Sequence, residues 1–330
     1  MVLKYGSARP NRRVQLLVAT AITSGVVTVM TLPVAHAKPG LCQTTVDPKT
    51  KFAEVVCTGD HSSSIKSGTD FDAKTLETLI LKDIPSDTFL EVNVDKNNNA
   101  QGPKVTIHHI GYVYGLLGDP KGVAIRSSGQ GSGGARTMGV TAFSDVYGIN
   151  GAISVTSVSQ KGDNGSGDGS RGKDGHQGDR VYVTVMNRGE GVQTRVQGGQ
   201  GNAIEIGNQA GAGGNGSSGT FYAGGTGGKG GTGNETRLEL DKEIFVYSPY
   251  NASGFYLYSQ GANGGKGGSA SYAGAGRGGF GGSGGLVTIV GHDGVVPNVE
   301  LTTGSNTYAS GDGAPAVLMV SKAGDGGDGG

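Results

Sequence analysis

The chain of 330 residues contains no tryptophan and only two cysteines. Apolar residues make up 35% of it and charged residues 16%, too little apolar surface for one large conventional core. No stretch beyond the N-terminal region has the 3.6-residue apolar period of an amphipathic helix. Basic and acidic residues number 27 each, and no basic patch is present. Nucleic acid is therefore not predicted as a partner.

The motifs of several enzyme classes are missing as well. The segment 162–166 resembles the Gly-Asp-Ser-Gly element of serine proteases, but Asn164 stands at the position of the nucleophile. An amide cannot serve as a nucleophile, so no protease is predicted. The glycine runs match neither a Walker nor a dinucleotide-binding fingerprint, which require a strand before and a helix after them. We therefore predict no catalytic residue, no cofactor and no enzymatic activity.

Metal ligands are also poorly placed. His108 and His109 would point to opposite faces of a strand, and the other histidines are isolated. Three Gly-Asp-Gly stretches, at Asp168, Asp312 and Asp325, lack the large apolar residue of calcium-binding repeats. We interpret them as solvated loop carboxylates, with weak calcium binding as the alternative. No metal site is predicted.

Glycine, in contrast, supplies 66 residues, about three times its usual share. From Gly131 onward a short apolar strand, a polar Ser or Asn with Gln or Lys, and a glycine run recur. Self-similarity of this kind predicts stacked units of a solenoid rather than one globular core. The fourth copy starts close to Gly330, so we expect the sequence to be the front of a longer protein. The polar anchors of the four copies, which recur at intervals of similar length, are Ser159, Asn208, Ser259 and Ser321.

Short strands with alternating polarity are predicted on both sides of residue 128. We divide the mature chain into an N-terminal β-region, 38–128, and glycine-rich repeats, 129–330. The expected fold is all-β, a solenoid with long glycine-rich loops. The predicted strands are Leu76–Leu81, Phe89–Val94, Lys104–His108, Val123–Ser127, Arg180–Val185, Ala203–Ile206, Thr236–Leu240, Phe255–Tyr258, Leu286–Val290 and Ala316–Val320.

The glycine runs have two possible states. Glycine has no side chain to bury and a high chain entropy, so the runs cannot join an apolar core. They could pack side by side as extended helices, or leave the coils as flexible loops. Because Lys, Asp, Asn and Ser interrupt the runs at irregular positions, we favour flexible loops.

The first 37 residues read as an export signal. Four basic residues precede an uncharged stretch from Val14 to Ala37, which ends in the small-x-small cleavage pattern Ala35-His36-Ala37. We predict cleavage after Ala37; the alternative is a membrane anchor. Export makes a disulfide between Cys42 and Cys57 plausible, with Gln43–Val46 and Phe52–Val56 as the paired strands around it.

Aromatic residues are densest between residues 221 and 258. They form either the stacked core and edge of a β-coil or an exposed contact strip. The region contains Phe221, Tyr222, Tyr247, Tyr250, Phe255, Tyr256 and Tyr258.

The order of signal, cysteine pair and repeat resembles the start of autotransporter passengers of Gram-negative bacteria. The passages that carry the likeness are Cys42 to Ile65 and the glycine-rich repeat Gly278–Val290 with Ser305–Gly327. The resemblance implies a right-handed parallel β-helix passenger. It also implies an outer-membrane barrel as a partner in a C-terminal part that lies beyond this sequence.

From the resemblance we expect an exported chain at the cell surface or outside the cell, without enzymatic activity, that serves adhesion or display. Its partner would be a protein or glycan surface. Two alternatives remain open. The segment is a stalk for an enzymatic domain that follows Gly330, or it is a glycine-rich structural protein of an extracellular matrix.

Overall fold

The computed structural model describes most of the chain beyond residue 39. The described ranges are 40–59, 64–82, 89–93, 104–108, 123–127, 137–143, 145–148, 150–187, 194–242, 244–248, 252–291, 299–303 and 316–330. All of them belong to the compact unit Ala37–Gly330. The predicted signal and its cleavage after Ala37 lie outside these ranges and stay a prediction. No helix occurs within them, and none long and apolar enough to cross a membrane.

The described residues form nineteen strands, which confirms the all-β prediction. They are β1 (Leu41–Val46), β2 (Ala53–Thr58), β3 (Ser64–Lys66), β4 (Leu76–Lys82), β5 (Phe89–Asn93), β6 (Lys104–His108), β7 (Val123–Ser127), β8 (Thr137–Ala142), β9 (Val146–Gly148), β10 (Ile153–Val158), β11 (Arg180–Val185), β12 (Thr194–Gly198), β13 (Ile204–Gln209), β14 (Thr236–Leu240), β15 (Ile244–Ser248), β16 (Phe255–Gln260), β17 (Val287–Gly291), β18 (Val299–Thr303) and β19 (Val317–Lys322).

These strands belong to three sheets that the chain visits in turn. The first has the order β1-β2-β4-β6-β8-β11-β14-β17, the second β19-β16-β13-β10-β7-β5-β3, and the third β18-β15-β12-β9. After the first strand pair, each visit adds a strand parallel to its predecessor in the same sheet, so β10, β13, β16 and β19 pair in sequence. Several parallel sheets built in this way are consistent with a β-helix-like solenoid, in which each coil contacts its neighbours along one axis.

A narrow apolar core lies between the sheets. Inward residues of successive coils are in register, as in the column Ile153, Ile204 and Phe255, each at most 2% exposed. Burial of one such side chain contributes on the order of 1.5–3 kcal/mol. The alternation predicted for β14 is confirmed, since Thr236, Leu238 and Leu240 are buried and the residues between them are not. Because neighbouring coils share this narrow core, a chain with few apolar residues has enough of them to fill it.

An antiparallel hairpin borders the first sheet. Its strands β1 and β2 pair antiparallel, and a disulfide joins Cys42 to Cys57 with their Cα atoms 4.0 Å apart, which confirms the predicted bond. The Asp47 backbone amide donates to the Phe52 carbonyl (2.9 Å), which closes the turn between the strands. Since β1 is largely exposed and β2 has a buried face, the hairpin covers one edge of the parallel stack.

The prediction of flexible glycine loops is wrong. The glycine runs from residue 159 onward form hydrogen bonds from one run to the next, mostly 2.7–3.0 Å long. A glycine peptide has no Cβ, so neighbouring backbones can approach closely enough for each amide to reach a carbonyl of another run. The ordered alternative, extended segments packed side by side, is the one that the structure shows.

The register of the repeat also differs from the prediction in its first copy. Asn208 pairs with Ser157, not with Ser159, and continues to Ser259 and Ser321 as predicted. Ser159 lies two positions further on and donates its amide to the Gln209 carbonyl at 2.8 Å. The interval from Ser157 to Asn208 therefore equals that from Asn208 to Ser259.

Candidate functional site

Three long connections lead from the second sheet to the first, and we call them the glycine hairpins. They are residues 159–179 between β10 and β11, 210–235 between β13 and β14, and 261–286 between β16 and β17. Residues 323–330 start the same path after β19. Each hairpin has an outbound segment, a turn and a return segment. Together the segments form a glycine slab attached to one corner of the coils.

The slab is held by backbone hydrogen bonds that recur every third residue. Within the second hairpin, Gly225, Gly228 and Gly231 donate to Ser217, Gly214 and Gly211 at 2.8–2.9 Å. The third hairpin repeats this pattern and also bonds back to the second, since Gly265 donates to Gly228 at 2.8 Å. A period of three residues without internal hydrogen bonds is typical of extended polyproline II-type helices. The slab is therefore a bundle of such helices.

The close packing explains the glycine content. A Cβ added to Gly265 would lie 1.9 Å from the Gly214 carbonyl oxygen, and one on Gly228 would lie 1.9 Å from the Lys173 carbonyl oxygen. Neither residue has a positive φ, so backbone conformation is not what requires glycine here. The requirement is steric, because the contacting atoms belong to other backbones that are themselves hydrogen-bonded.

Along the outbound segment of the third hairpin, the exposed side chains recur at every third position. In the third hairpin Asn263, Lys266 and Ser269 are exposed, and the two residues between successive members are not. The residues that interrupt the glycine runs are thus regularly placed. The recurrence of these exposed residues at every third position is the signal in the sequence that could have indicated ordered glycine runs.

Asparagine at this third position satisfies the backbone of the next coil. Asn164 Oδ1 accepts the Asn215 amide at 2.9 Å, and Asn215 Oδ1 accepts the Lys266 amide at 3.0 Å. Asn263 Oδ1 accepts the Asp325 amide at 2.8 Å. The glycine amides bond to carbonyls, so these side chains complete the pairing that a closely packed backbone needs. Asn164, which lies where a protease would have its nucleophile, has this structural contact.

A buried polar junction anchors the second hairpin to the coils. Asn208 is fully buried, and its amide nitrogen donates to the Asn234 carbonyl and to Thr236 Oγ1, both at 2.9 Å. Its Oδ1 accepts the Asn234 amide and Ser259 Oγ, also at 2.9 Å. In the preceding coil, Ser157 donates to the buried Asp179 carboxylate at 2.8 Å. The predicted polar anchors therefore fix the base of the slab.

The outer faces of the slab carry exposed ion pairs. Lys173 Nζ lies 2.9 Å from Asp163 Oδ2 within the first hairpin, and Lys266 lies 3.4 Å from Asp328 across two coils. The hydrogen bond to Lys173 lowers the pKa of the Asp163 carboxyl, and the same bond raises the pKa of the Lys173 ammonium. Exposed pairs of this kind contribute little to stability.

The turns of the second and third hairpins, residues 218–223 and 269–274, carry exposed aromatic side chains. Phe221 is 80% exposed, Tyr222 70% and Tyr272 84%. The Asp168 carboxylate of the shorter first hairpin accepts the backbone amides of Thr220 and Phe221, the latter at 3.2 Å. The aromatic residues therefore stand on a turn that is tied to its neighbour. We call Phe221, Tyr222 and Tyr272 the aromatic tip.

Each of the two interpretations of the aromatic region, core of a β-coil and exposed contact strip, applies to a part of it. Phe255 is 2% exposed and belongs to the core, and Phe221 and Tyr222 form an exposed surface. Tyr256 and Tyr258 pack against each other with ring centres 5.2 Å apart on the outside of the second sheet. Tyr250 lies outside the described residues. Tyr272 was missed by the sequence reasoning.

The half-buried Tyr258 ring covers Gly207 of the neighbouring strand, where a Cβ would lie 2.3 Å from the ring. Burial, with the nearby Glu205 carboxylate, raises the pKa of the Tyr258 phenol above its ordinary value. The folded chain thus favours the neutral phenol. The resulting stabilisation is complete below about pH 10, the pKa of an unfolded tyrosine, and is lost as the pH rises above it.

We expect Tyr258→Phe to weaken the alkaline loss of stability. Urea denaturation of the full-length chain at pH 8 to 11 would show a smaller decline for the variant than for the wild type. Tyr272→Phe, which removes a phenol that is exposed in the folded chain, is the control and should follow the wild-type curve. An alkaline decline as steep in Tyr258→Phe as in the wild type would contradict the assignment.

The contacts of the remaining described candidate residues are structural. Asp168 binds backbone amides, and His176 takes part in the backbone ladder through its amide and carbonyl. His109 and Asp312 lie outside the described residues, and the His108 side chain is not described. In the part of the chain that the structure describes, no group of three or more His, Cys, Asp or Glu residues is placed to hold a metal ion.

Comparisons of this chain with protein-family models, with curated proteins and with solved structures found no match.

Proposed function

We propose that the chain is an exported passenger segment of the autotransporter type, displayed at the cell surface or released, whose task is adhesion or display and not catalysis. The finer fold is a right-handed parallel β-helix. Parallel strands joined by crossovers are right-handed in nearly all proteins, and three parallel sheets visited in turn fit this geometry. The disulfide between Cys42 and Cys57 fits an oxidising compartment outside the cytoplasm.

One observation carries the proposal. Among the described residues, three of the four aromatic side chains that are at least 70% exposed lie on the turns of a backbone-bonded slab that is attached to the coils. Rigid scaffolds with functional turns are a common design for recognition. The coils repeat along an axis, so each added coil presents another turn, and weak contacts at several turns add up through effective concentration.

The first test is location. Antibodies against residues 210–285 should label intact cells of the organism that produces the protein, and mild protease treatment of whole cells should remove the label. A cytoplasmic protein probed in parallel should stay unlabelled until the cells are lysed. Label that appears only after lysis would overturn the proposal of surface exposure.

The second test is attachment. Deletion of the gene should reduce the attachment of the cells to surfaces or to one another, and a plasmid copy should restore it. Surface label with unchanged attachment would favour display over adhesion. That result would also favour the two alternative roles, a stalk for an enzymatic domain or a structural protein of an extracellular matrix.

A further inference from the structure

We propose that the aromatic tip is a binding site for a neutral polysaccharide. The inference rests on the proposed adhesive function and adds the class of ligand and the residues that contact it. The site consists of Phe221 and Tyr222 on the second glycine hairpin and Tyr272 on the third. Each side chain is at least 70% exposed.

Phe221 and Tyr272 occupy equivalent positions in successive coils. Before the turn, Gly219 pairs with Ala270 in a parallel bridge. After it, the Gly224 amide donates to the Gly274 carbonyl at 3.0 Å. The register is the same on both sides of the turn, so residue 221 lies opposite residue 272. The two rings are therefore carried by neighbouring backbone segments, which in paired strands lie about 4.8 Å apart.

Hydrogen bonds hold the turn that carries Phe221 and Tyr222 in place without a ligand. The Asp168 carboxylate accepts the amides of Thr220 and Phe221, and Ser218 and Ser269 share a hydrogen bond of 3.1 Å between their hydroxyl oxygens. Large rigid side chains on an ordered turn lose little conformational entropy on binding. Fixed turns thus compensate for a small contact area.

Charge excludes several ligands. Residues 218–225 and 269–276 contain no Lys, Arg, Asp or Glu, so the turns themselves carry no cation for a phosphate, a sulfate or an anionic lipid headgroup; the first cation after residues 269–276 is the exposed Arg277 on the return segment. The Asp168 carboxylate, which contacts the turn of the second hairpin, already accepts backbone amides. A neutral ligand fits this surface best.

The small contact area of the aromatic tip favours a polysaccharide over a folded protein as its ligand. An aromatic side chain buries about 150–250 Å² when fully covered, and a standard protein interface needs about 800 Å² on each partner. Three partly covered rings on two adjacent turns fall short of that. A sugar chain a few residues long presents a narrow, matching surface.

The chemistry of the tip suits sugars in two ways. A pyranose ring presents apolar C–H groups on its faces, which pack on aromatic rings, and hydroxyls at its edge, which pair with the hydroxyls of Thr220 and Ser271. The two rings are carried by equivalent residues of adjacent coils. A linear polysaccharide can therefore lie across the coils with successive sugars on Phe221 and Tyr272.

The experiment measures retention of the purified full-length chain on microcrystalline cellulose and on chitin. Phe221→Ser combined with Tyr272→Ser should weaken retention at least ten-fold. Phe280→Ser is the matched control, because Phe280 is also exposed, at 76%, but lies on the return segment away from the tip. Polygalacturonate and phosphatidylcholine vesicles serve as the charged and the lipid probe. Thermal unfolding of all variants should be unchanged, since the substituted rings are exposed.

Retention of the wild type and of Phe280→Ser, with loss in the double variant, supports the site. No retention on either neutral polysaccharide, equal loss with Phe280→Ser, or preferred binding to the vesicles overturns it. The attachment test is run with the same variants. If the double variant abolishes attachment while cellulose and chitin bind nothing, the polysaccharide inference fails, adhesion stands and a protein receptor takes its place. If surface label is absent although the purified chain binds cellulose, the proposed location fails and the site stands.

Discussion

Gly265→Ala is expected to destabilise the chain by about 3 kcal/mol or more, an unusually large effect for a single methyl group. The added Cβ would lie 1.9 Å from the Gly214 carbonyl oxygen and 2.5 Å from its carbon. Neither backbone can give way cheaply. Gly265 donates to Gly228 and accepts from Gly279, both at 2.8 Å, and Gly214 donates to Lys173 at 2.8 Å.

Gly274→Ala is the matched control. It lies in the same hairpin, at the turn, and a Cβ there meets nothing within 4 Å. Because alanine lowers the entropy of the unfolded chain, this variant should be neutral or slightly more stable. Urea denaturation and hydrogen exchange of the slab amides measure both variants. If Gly265→Ala and Gly274→Ala unfold at the same urea concentration, the slab is not packed as the structure describes.

The strands were predictable because their signal is local. In β11 every second residue is Val, and β14 ends in the alternating run Leu-Glu-Leu; one buried face dictates that pattern. The third sheet was not predicted as a separate set. β9 has only three residues and β12 has a single aliphatic residue among its five, so neither shows a clear period. Their pairing depends on strands of the neighbouring coils, which lie far away in the sequence.

The order of the glycine slab could not be predicted in the same way. A glycine run has no strong local preference, and its hydrogen bonds join segments that are distant in the sequence, such as Gly264 and Asp325. Only alignment of the coils shows that Asn164, Asn215 and Lys266 share one row. The same alignment is needed to place Tyr272 beside Phe221. The sequence contains this information, but it becomes readable only when the register of the coils is known.

Asn208→Leu is expected to cost about 3 kcal/mol, the second-largest effect we predict, because it leaves several buried polar groups without partners. Asn208 joins three elements. It bonds to the backbone amide and carbonyl of Asn234 at the end of the second hairpin, and to the hydroxyls of Thr236 in β14 and Ser259 in β16. Leucine has a similar size but can satisfy none of these groups.

Asn208→Ser provides the control, since Ser157, Ser259 and Ser321 occupy the same register position in other coils. Ser259 bonds to the end of the second hairpin and the Gly285 amide of the third, at 2.7 and 2.9 Å. A serine at 208 should therefore retain part of the anchoring and lose about 1 kcal/mol.

The location of the damage is as informative as its size. Hydrogen exchange should accelerate first at residues 210–235 in Asn208→Leu, because the hairpin loses its anchor at the base while β13 keeps its parallel partners β10 and β16. Exchange that rises uniformly along β13 and its neighbours would show that Asn208 stabilises the coils and not the slab. The buried polar junction around Asn208 would then be a part of the core, and the rigidity of the aromatic tip would depend on the backbone bonds of the slab alone.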